Sequence, residues 1–385
     1  MGRSGRVGGG LGGTSAGDIA LVFGTRPEII KLAGIALELG GRARLVHTGQ
    51  HFDQEMSGAF FANFDLPQPA VHFAAATGPW GRGHQIGSLI SALTREFTER
   101  PPAAAIVQGD TNSTSAGAQA AHYCGVPVVH VEAGLRSGDR TMPEEINRQV
   151  VGALADLHCA PTTTAVANLV AAGVDPGRIR LTGNTVVEAT LRSLPDEAGG
   201  RALAARHGLS GDYVLATVHR PENSDDPVRL ARLLEALGGL GVPVLFPVHP
   251  RTRRRIEEFG LGPAAEGLLL TDPVDHPTFL GLAARARLLV SDSGGIQEEA
   301  TVIKKPLLVV RTSTERPEAV EAGFARLVEP GPALLAAGRR VLADPGIEAA
   351  LREVPSPYGD GTASALISRL TTELADGRGP GRAAA

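Results

Sequence analysis

Cysteine is nearly missing from this sequence: two occur among 385 residues, Cys124 and Cys159. That excludes a disulfide scaffold and a four-cysteine zinc site. Aromatic residues make up 4%, with one tryptophan, Trp80, and three tyrosines, which argues against an all-β sandwich. No apolar run reaches the roughly 18 residues that a membrane-spanning helix needs. Positive excess is missing too: 37 Lys and Arg face 41 Asp and Glu, a formal net charge of −4. Proteins that coat nucleic acid usually carry the opposite balance. The opening stretch, Met1 to Gly17, has no apolar core of a secretory signal. It is expected to be a flexible tail, as is Asp376 to Ala385, and a cytoplasmic location is the matching expectation.

What the sequence does have is glycine, 49 residues of it, and an alternation of short apolar runs with amphipathic stretches. Ile19 to Phe23 reads as a strand and is followed by Gly24-Thr25-Arg26-Pro27-Glu28. Pro27 suits the first turn of a helix, and Ile29, Leu32, Ala33, Ala36 and Leu37 fall on one helical face. Leu45 to His47 reads as the next strand, and Ile86 to Phe97 as a helix. Ala103 to Val107 is a strand ending in Gln108-Gly109-Asp110-Thr111. A helix follows over Asn112 to Cys124, then a strand over Val126 to Val131, ending in Glu132.

The rhythm restarts past residue 190. Strands over Tyr213 to Val218, Val242 to Val248, Leu268 to Leu270, Leu288 to Val290 and Leu307 to Val310 are predicted, with a helix over Arg229 to Leu237. Such alternation implies parallel sheets with right-handed crossovers. The fold class expected is α/β, with two doubly wound Rossmann-like domains over 18–188 and 189–358. A break is expected near Leu191 to Gly200. The helix over 362–374 is expected to pack back on the first domain. Polar residues repeatedly follow a strand, the edge where open parallel sheets bind ligands, so both sets of loops should face one cleft that closes on its ligand.

The chemistry is concentrated in those loops. Ser293, Gly294 and Gly295 follow a strand and open a helix, where free N–H groups and the helix dipole favour an anion such as a diphosphate. Glu298 or Glu299, a turn further on, suits ribose hydroxyls. Arg26 belongs to the matching loop of the first half, with Lys31 one turn along its helix, and Arg311, Glu315 and Arg316 form a third charged loop. The run Arg251 to Arg255 suits a solvated helix, with Arg251 the member expected to face inward. Asp110, Glu132, Glu144 and Glu145 gather carboxylates in the first half, while His219 and His249 bring imidazoles from strand ends in the second. Carboxylates on one wall and imidazoles on the other suit acid–base work. His122 and His158 read as structural. No HExxH or CxxC pattern stands near these positions, so no essential metal is expected, and no GxGxxG loop suggests a nicotinamide cofactor.

With the motifs GTRPEIIKL, TGQHFDQEM, VQGDTNST, HVEAGLRSGDRTMPEEINR, TGNT, HRPEN, PVHPRT, SDSGGIQEEA, TERPEAVEAG and PYGDG in order, the chain resembles the non-hydrolysing UDP-N-acetylglucosamine 2-epimerases from about Ile19 to Leu370. The resemblance implies a glycosyltransferase-B fold and inversion of C2 that converts UDP-GlcNAc to UDP-ManNAc, by elimination of UDP and its re-addition. It implies that Asp110, Glu132, Glu144 and His219 are catalytic. Arg26, Lys31, Arg220, His249, Phe279, Ser293, Gly294, Gly295, Glu299 and Arg316 would bind substrate, with Phe279 by the uracil and Glu299 at the ribose. It further implies no cofactor, a homodimer, and UDP as ligand.

Three departures from the family's pattern stand out. An Asp-His pair common after PEEINR is replaced by Gly152-Ala153, and Glu144-Glu145 comes two residues sooner after Glu132 than in some members. Gln50 and His51 match a loop that holds an activating second UDP-GlcNAc in some members, but Asp53 stands where a second glutamine is expected. Alternatives on the same fold are a hydrolysing 2-epimerase that releases ManNAc and UDP, and a glycosyltransferase. A non-enzymatic sugar-nucleotide sensor would not need Asp110 and Glu132. Surface-glycan or antibiotic aminosugar biosynthesis is the expected setting.

Overall fold

Continuous apolar runs such as Ile19–Phe23 and Ala104–Gln108 are buried along their whole length, as strands covered on both faces must be. The computed structural model describes residues 17–50, 61, 66–73 and 81–378. The first and last expected tails, His51, Asp53 and Trp80 therefore lie wholly or largely outside the described residues. One sheet has 7 parallel strands in the order β3-β2-β1-β4-β5-β6-β7. These are Ile19–Phe23 (β1), Ala43–His47 (β2), Val71–His72 (β3), Ala104–Gln108 (β4), Val128–Val131 (β5), Leu157–Ala160 (β6) and Ile179–Leu181 (β7). The other has 6, in the order β10-β9-β8-β11-β12-β13. These are Val214–Thr217 (β8), Val244–Pro247 (β9), Leu269–Thr271 (β10), Leu288–Ser291 (β11), Leu307–Val309 (β12) and Ala325–Leu327 (β13). The neighbours in each sheet run parallel.

Each order reverses once, between β1 and β4 in the first sheet and between β8 and β11 in the second. At such a switch point the outgoing loops part to opposite faces and leave a crevice for a ligand. Here the four loops concerned begin at Gly24, Gly109, Val218 and Asp292.

Helices cover both faces of each sheet. Arg26–Leu39 (α1), Gly81–Glu99 (α2), Asn112–Tyr123 (α3), Pro143–Leu154 (α4) and Thr163–Ala171 (α5) belong to the first. Val186–Ser193 (α6) touches α1 and also helices of the second sheet. Pro227–Gly238 (α7), His276–Arg285 (α8) and Gly294–Val302 (α9) belong to the second. The last helix, Ala363–Ala375 (α10), returns to the first lobe. Its Ala363 and Ile367 share a buried cluster with Ile29, Leu32 and Ile35 of α1, and Ser368 Oγ donates to the Ile35 carbonyl at 3.3 Å.

Candidate active site

Between the two switch points lies a cleft of about 480 Å³. Its first-lobe wall starts with Thr25 and Glu28, spaced as a helix-capping pair. Glu28 is buried and accepts from the Gly24 N–H at 3.0 Å and from the Thr25 N–H and hydroxyl, both at 2.7 Å. Its other oxygen accepts from Thr111 Oγ1 at 2.7 Å and Thr114 Oγ1 at 3.1 Å. One carboxylate thus pins the loops after β1 and β4 to each other. Burial pushes its pKa up against the downward pull of these hydrogen bonds.

Glu132 follows β5 with φ +64°, a left-handed conformation that a residue with a Cβ adopts only under constraint. Its carboxylate accepts from Gln108 Nε2 at 3.2 Å and Asn184 Nδ2 at 3.1 Å, and pairs with Lys31. Arg316 stands 3.6 Å away. Burial opposes the charged form of Glu132, but Lys31 and Arg316 outweigh it and hold the carboxyl below its usual value. Lys31 also reaches Glu298, from the second lobe, at 2.7 Å. Burial disfavours its ammonium, yet the two carboxylates raise its pKa overall. Asp110 differs: desolvation raises its pKa despite an ion pair with Arg148. A carboxyl held above the usual range is suited to trading a proton near neutrality.

The second-lobe wall carries His219 at the end of β8 and His249 at the end of β9, with ring centroids 5.7 Å apart. His219 Nδ1 lies 3.3 Å from the buried Asp292, an arrangement that fixes the orientation of an imidazole. The same carboxylate accepts the Arg220 N–H at 2.9 Å and Asn223 Nδ2 at 3.0 Å. Ser293 and Gly295 line the cleft at the start of α9, where unsatisfied N–H groups attract anions. Arg316 lines it too, held by Glu298 at 2.7 Å and Glu315 at 2.6 Å. Glu299 and Phe279 complete the wall.

The structure therefore brings Arg26, Lys31, Asp110, Glu132, His219, His249, Phe279, Ser293, Gly295, Glu299 and Arg316 to one cleft. Glu298 is fully buried in the ion-pair network, so Glu299 is the member of that pair that faces the opening. Five other expected residues do not line the cleft. Glu144 is half-buried on the first turn of α4 and is not among the cleft-lining residues. Helical phase turns Glu145 inward instead, where it accepts the Ser137 N–H at 2.8 Å and pairs with Arg148 at 3.1 Å. Arg220 stands 3.7 Å from Glu315. Gly294 does not line the cleft but leaves room for Arg316: a Cβ there would lie 2.5 Å from its guanidinium. Gln50 is engaged by Ser113, accepting from its N–H at 2.9 Å and its hydroxyl at 2.7 Å. Arg251, too, pairs with Asp225 outside the cleft.

Glu28, Gln108, Asn184 and Asp292 carry much of this geometry and were not assigned roles from sequence. Only Glu28 had a readable signal, the Thr-x-x-Glu spacing. Among the described residues, no group of three or more His, Cys, Asp or Glu is arranged to hold a metal.

Two parallel sheets of alternating strands and helices, facing each other across this cleft, define an enzyme of glycosyltransferase-B architecture. The family model described as UDP-N-acetylglucosamine 2-epimerase matches residues 38–371. A UDP-N-acetylglucosamine 2-epimerase of Methanocaldococcus jannaschii is 36% identical over 92% of this chain and 98% of its own length. Its crystal structure in complex with UDP-GlcNAc and UDP superimposes with a TM-score of 0.82, covering 92% of this chain and 99% of that one. A UDP-2,3-diacetamido-2,3-dideoxy-D-glucuronate 2-epimerase of Pseudomonas aeruginosa is 34% identical over 92% of this chain and 99% of its own. The chain belongs to the UDP-N-acetylglucosamine 2-epimerase family.

Proposed function

We propose that this enzyme interconverts UDP-GlcNAc and UDP-ManNAc without net hydrolysis. The observation that carries the reading is the meeting, in one cleft, of Asp110 and Glu132 with His219 opposite them and the Ser293–Gly295 loop beside Arg316. The C2 proton of the sugar is not next to a carbonyl and is weakly acidic. Its removal must be coupled to departure of the leaving group. In the forward step a carboxylate takes the C2 proton, the C–H electrons form the C1–C2 double bond, and the C1–O bond breaks to release UDP. Cations and N–H groups stabilise the charge that develops on the diphosphate. In the return step a proton is delivered to the opposite face of C2, and a diphosphate oxygen re-forms the C1 bond.

Asp110, with its raised pKa, is the group suited to give and take the proton. Glu132 acts once a bound diphosphate draws Lys31 away from it. Arg26, Arg316, Ser293 and Gly295 hold the diphosphate, Glu299 the ribose, and Phe279 the uracil. The same proposal takes the product into surface-glycan or antibiotic aminosugar assembly, and the enzyme as a cytoplasmic homodimer. Light scattering tests the dimer. Among the described residues no helix is long and apolar enough to cross a membrane.

The test is proton NMR and mass spectrometry of UDP-GlcNAc with the enzyme in D2O. Solvent deuterium should enter C2 of both epimers. Unlabelled UDP-ManNAc would overturn the elimination route, and accumulating free sugar would make the enzyme a hydrolysing epimerase. The Pseudomonas relative supports running the diacetamido-glucuronate sugar nucleotide alongside; turnover of that compound alone would reassign the substrate.

A further inference from the structure

Helix α8 begins with His276, capped by Asp275, whose carboxylate accepts the Thr278 N–H at 2.8 Å. His276 and Phe279 are three residues apart on α8, and both line the cleft. Glu299 lines it from α9. His276 Nε2 lies 2.9 Å from Glu299 Oε1, with the two side chains 10% and 12% exposed. The other ring nitrogen, Nδ1, is buried and has no hydrogen-bond partner. A neutral ring with its proton on Nε2 donates to the carboxylate and leaves only a lone pair unmet at Nδ1. The opposite tautomer would strand a buried N–H and set two acceptors against each other, so the geometry selects the first.

We infer that His276 is a positioning residue that fixes the Glu299 carboxylate for the two ribose hydroxyls of a uridine nucleotide, and so ties the nucleobase wall to the ribose clamp. This rests on the proposed reading of Glu299. A carboxylate offers about four lone-pair sites. His276 occupies one, and the remainder suffice for two hydroxyl donors. Without the imidazole, the Glu299 side chain has lost its anchor, and each hydroxyl contact must first order it. Phe279 stands one turn along the same helix, so movement of α8 shifts both contacts together. Neither His276 nor Glu299 bonds to Asp110, Glu132 or His219, and the effect of their contact falls on nucleotide binding rather than on proton transfer.

The experiment compares UDP, 2′-deoxy-UDP and 3′-deoxy-UDP by calorimetry in the wild type, His276→Phe and His276→Gln, with steady-state kinetics on UDP-GlcNAc. Phe keeps the ring volume and removes the donor; Gln keeps an N–H near the position of Nε2. The wild type should bind UDP more tightly than either deoxy analogue. His276→Phe should weaken UDP about tenfold, raise KM to match, leave kcat within about twofold, and bring the three ligands close to equal affinity. His276→Gln should keep most of the discrimination. If the Phe variant does not fold, His276→Ala replaces it with the same expectation. Equal affinities in the wild type would overturn the ribose reading of Glu299 itself. Discrimination by the wild type that survives undiminished in His276→Phe or His276→Ala, or is lost equally in His276→Gln, would overturn the role of His276 alone.

Discussion

The carboxylates of the cleft are held in opposite protonation tendencies by their neighbours. Asp110 is pushed up by desolvation, whereas Glu132 is pulled down by Lys31 and Arg316. A group that must be ionised to accept a proton loses activity as pH falls through its pKa. The acid limb of kcat/KM should therefore lie above the usual carboxylate range and should vanish in Asp110→Asn. Removal of an acid–base group typically slows turnover by roughly 10²–10⁴-fold. That is the effect expected of Asp110→Asn, Glu132→Gln and His219→Asn, each with UDP still bound in calorimetry. Normal turnover in any one of them would make that residue structural. His219, Ser293 and Lys31 were legible because they sit at fixed offsets from strand ends. Gln108 and Asn184 were not, because a carboxamide has no sequence signature until the fold brings it to Glu132.

Among the elements, long buried strands announced themselves through unbroken apolar runs. Several shorter ones did not, although Leu269–Thr271 and Leu307–Val309 were expected. Leu157–Ala160 contains a histidine and a cysteine within four residues, and Ile179–Leu181 and Ala325–Leu327 have three residues each. Runs this short carry too little periodicity to separate strand from loop, and parallel pairing to neighbours supplies what the local pattern lacks. The contact between α1 and α10 also hides in sequence. Gly34 lets the two helices approach so closely that a Cβ there would lie 2.3 Å from Ser364 Oγ and 3.0 Å from its Cβ. Gly34→Ala should destabilise the protein by about 1–3 kcal/mol through overpacking. Chemical denaturation should show the loss, and Gly34→Ala with Ser364→Gly should recover most of it. Additive effects in that cycle would deny the contact any part in stability.

Across the whole molecule, the lobes meet through buried groups. Lys31 reaches Glu298, Arg316 faces Glu132, and Thr162 donates to Glu318. Because both lobes supply ligand-facing groups, saturating UDP should draw them together and lower the radius of gyration in small-angle scattering. An unchanged radius would mean that the cleft is already at its working width.

The return of α10 to α1 has a consequence for how the chain is made. The first lobe needs residues that lie beyond the entire second sheet in sequence, so the second lobe can finish while the first is still short of Ala363 and Ile367. A ribosome delivering this chain in sequence order leaves the face of α1 around Gly34, where Ser364 and Ser368 pack, without its partner until residues beyond the second sheet have emerged. That face is one the newborn protein must keep from other partners, by a chaperone's cover or by speed, until the last helix docks.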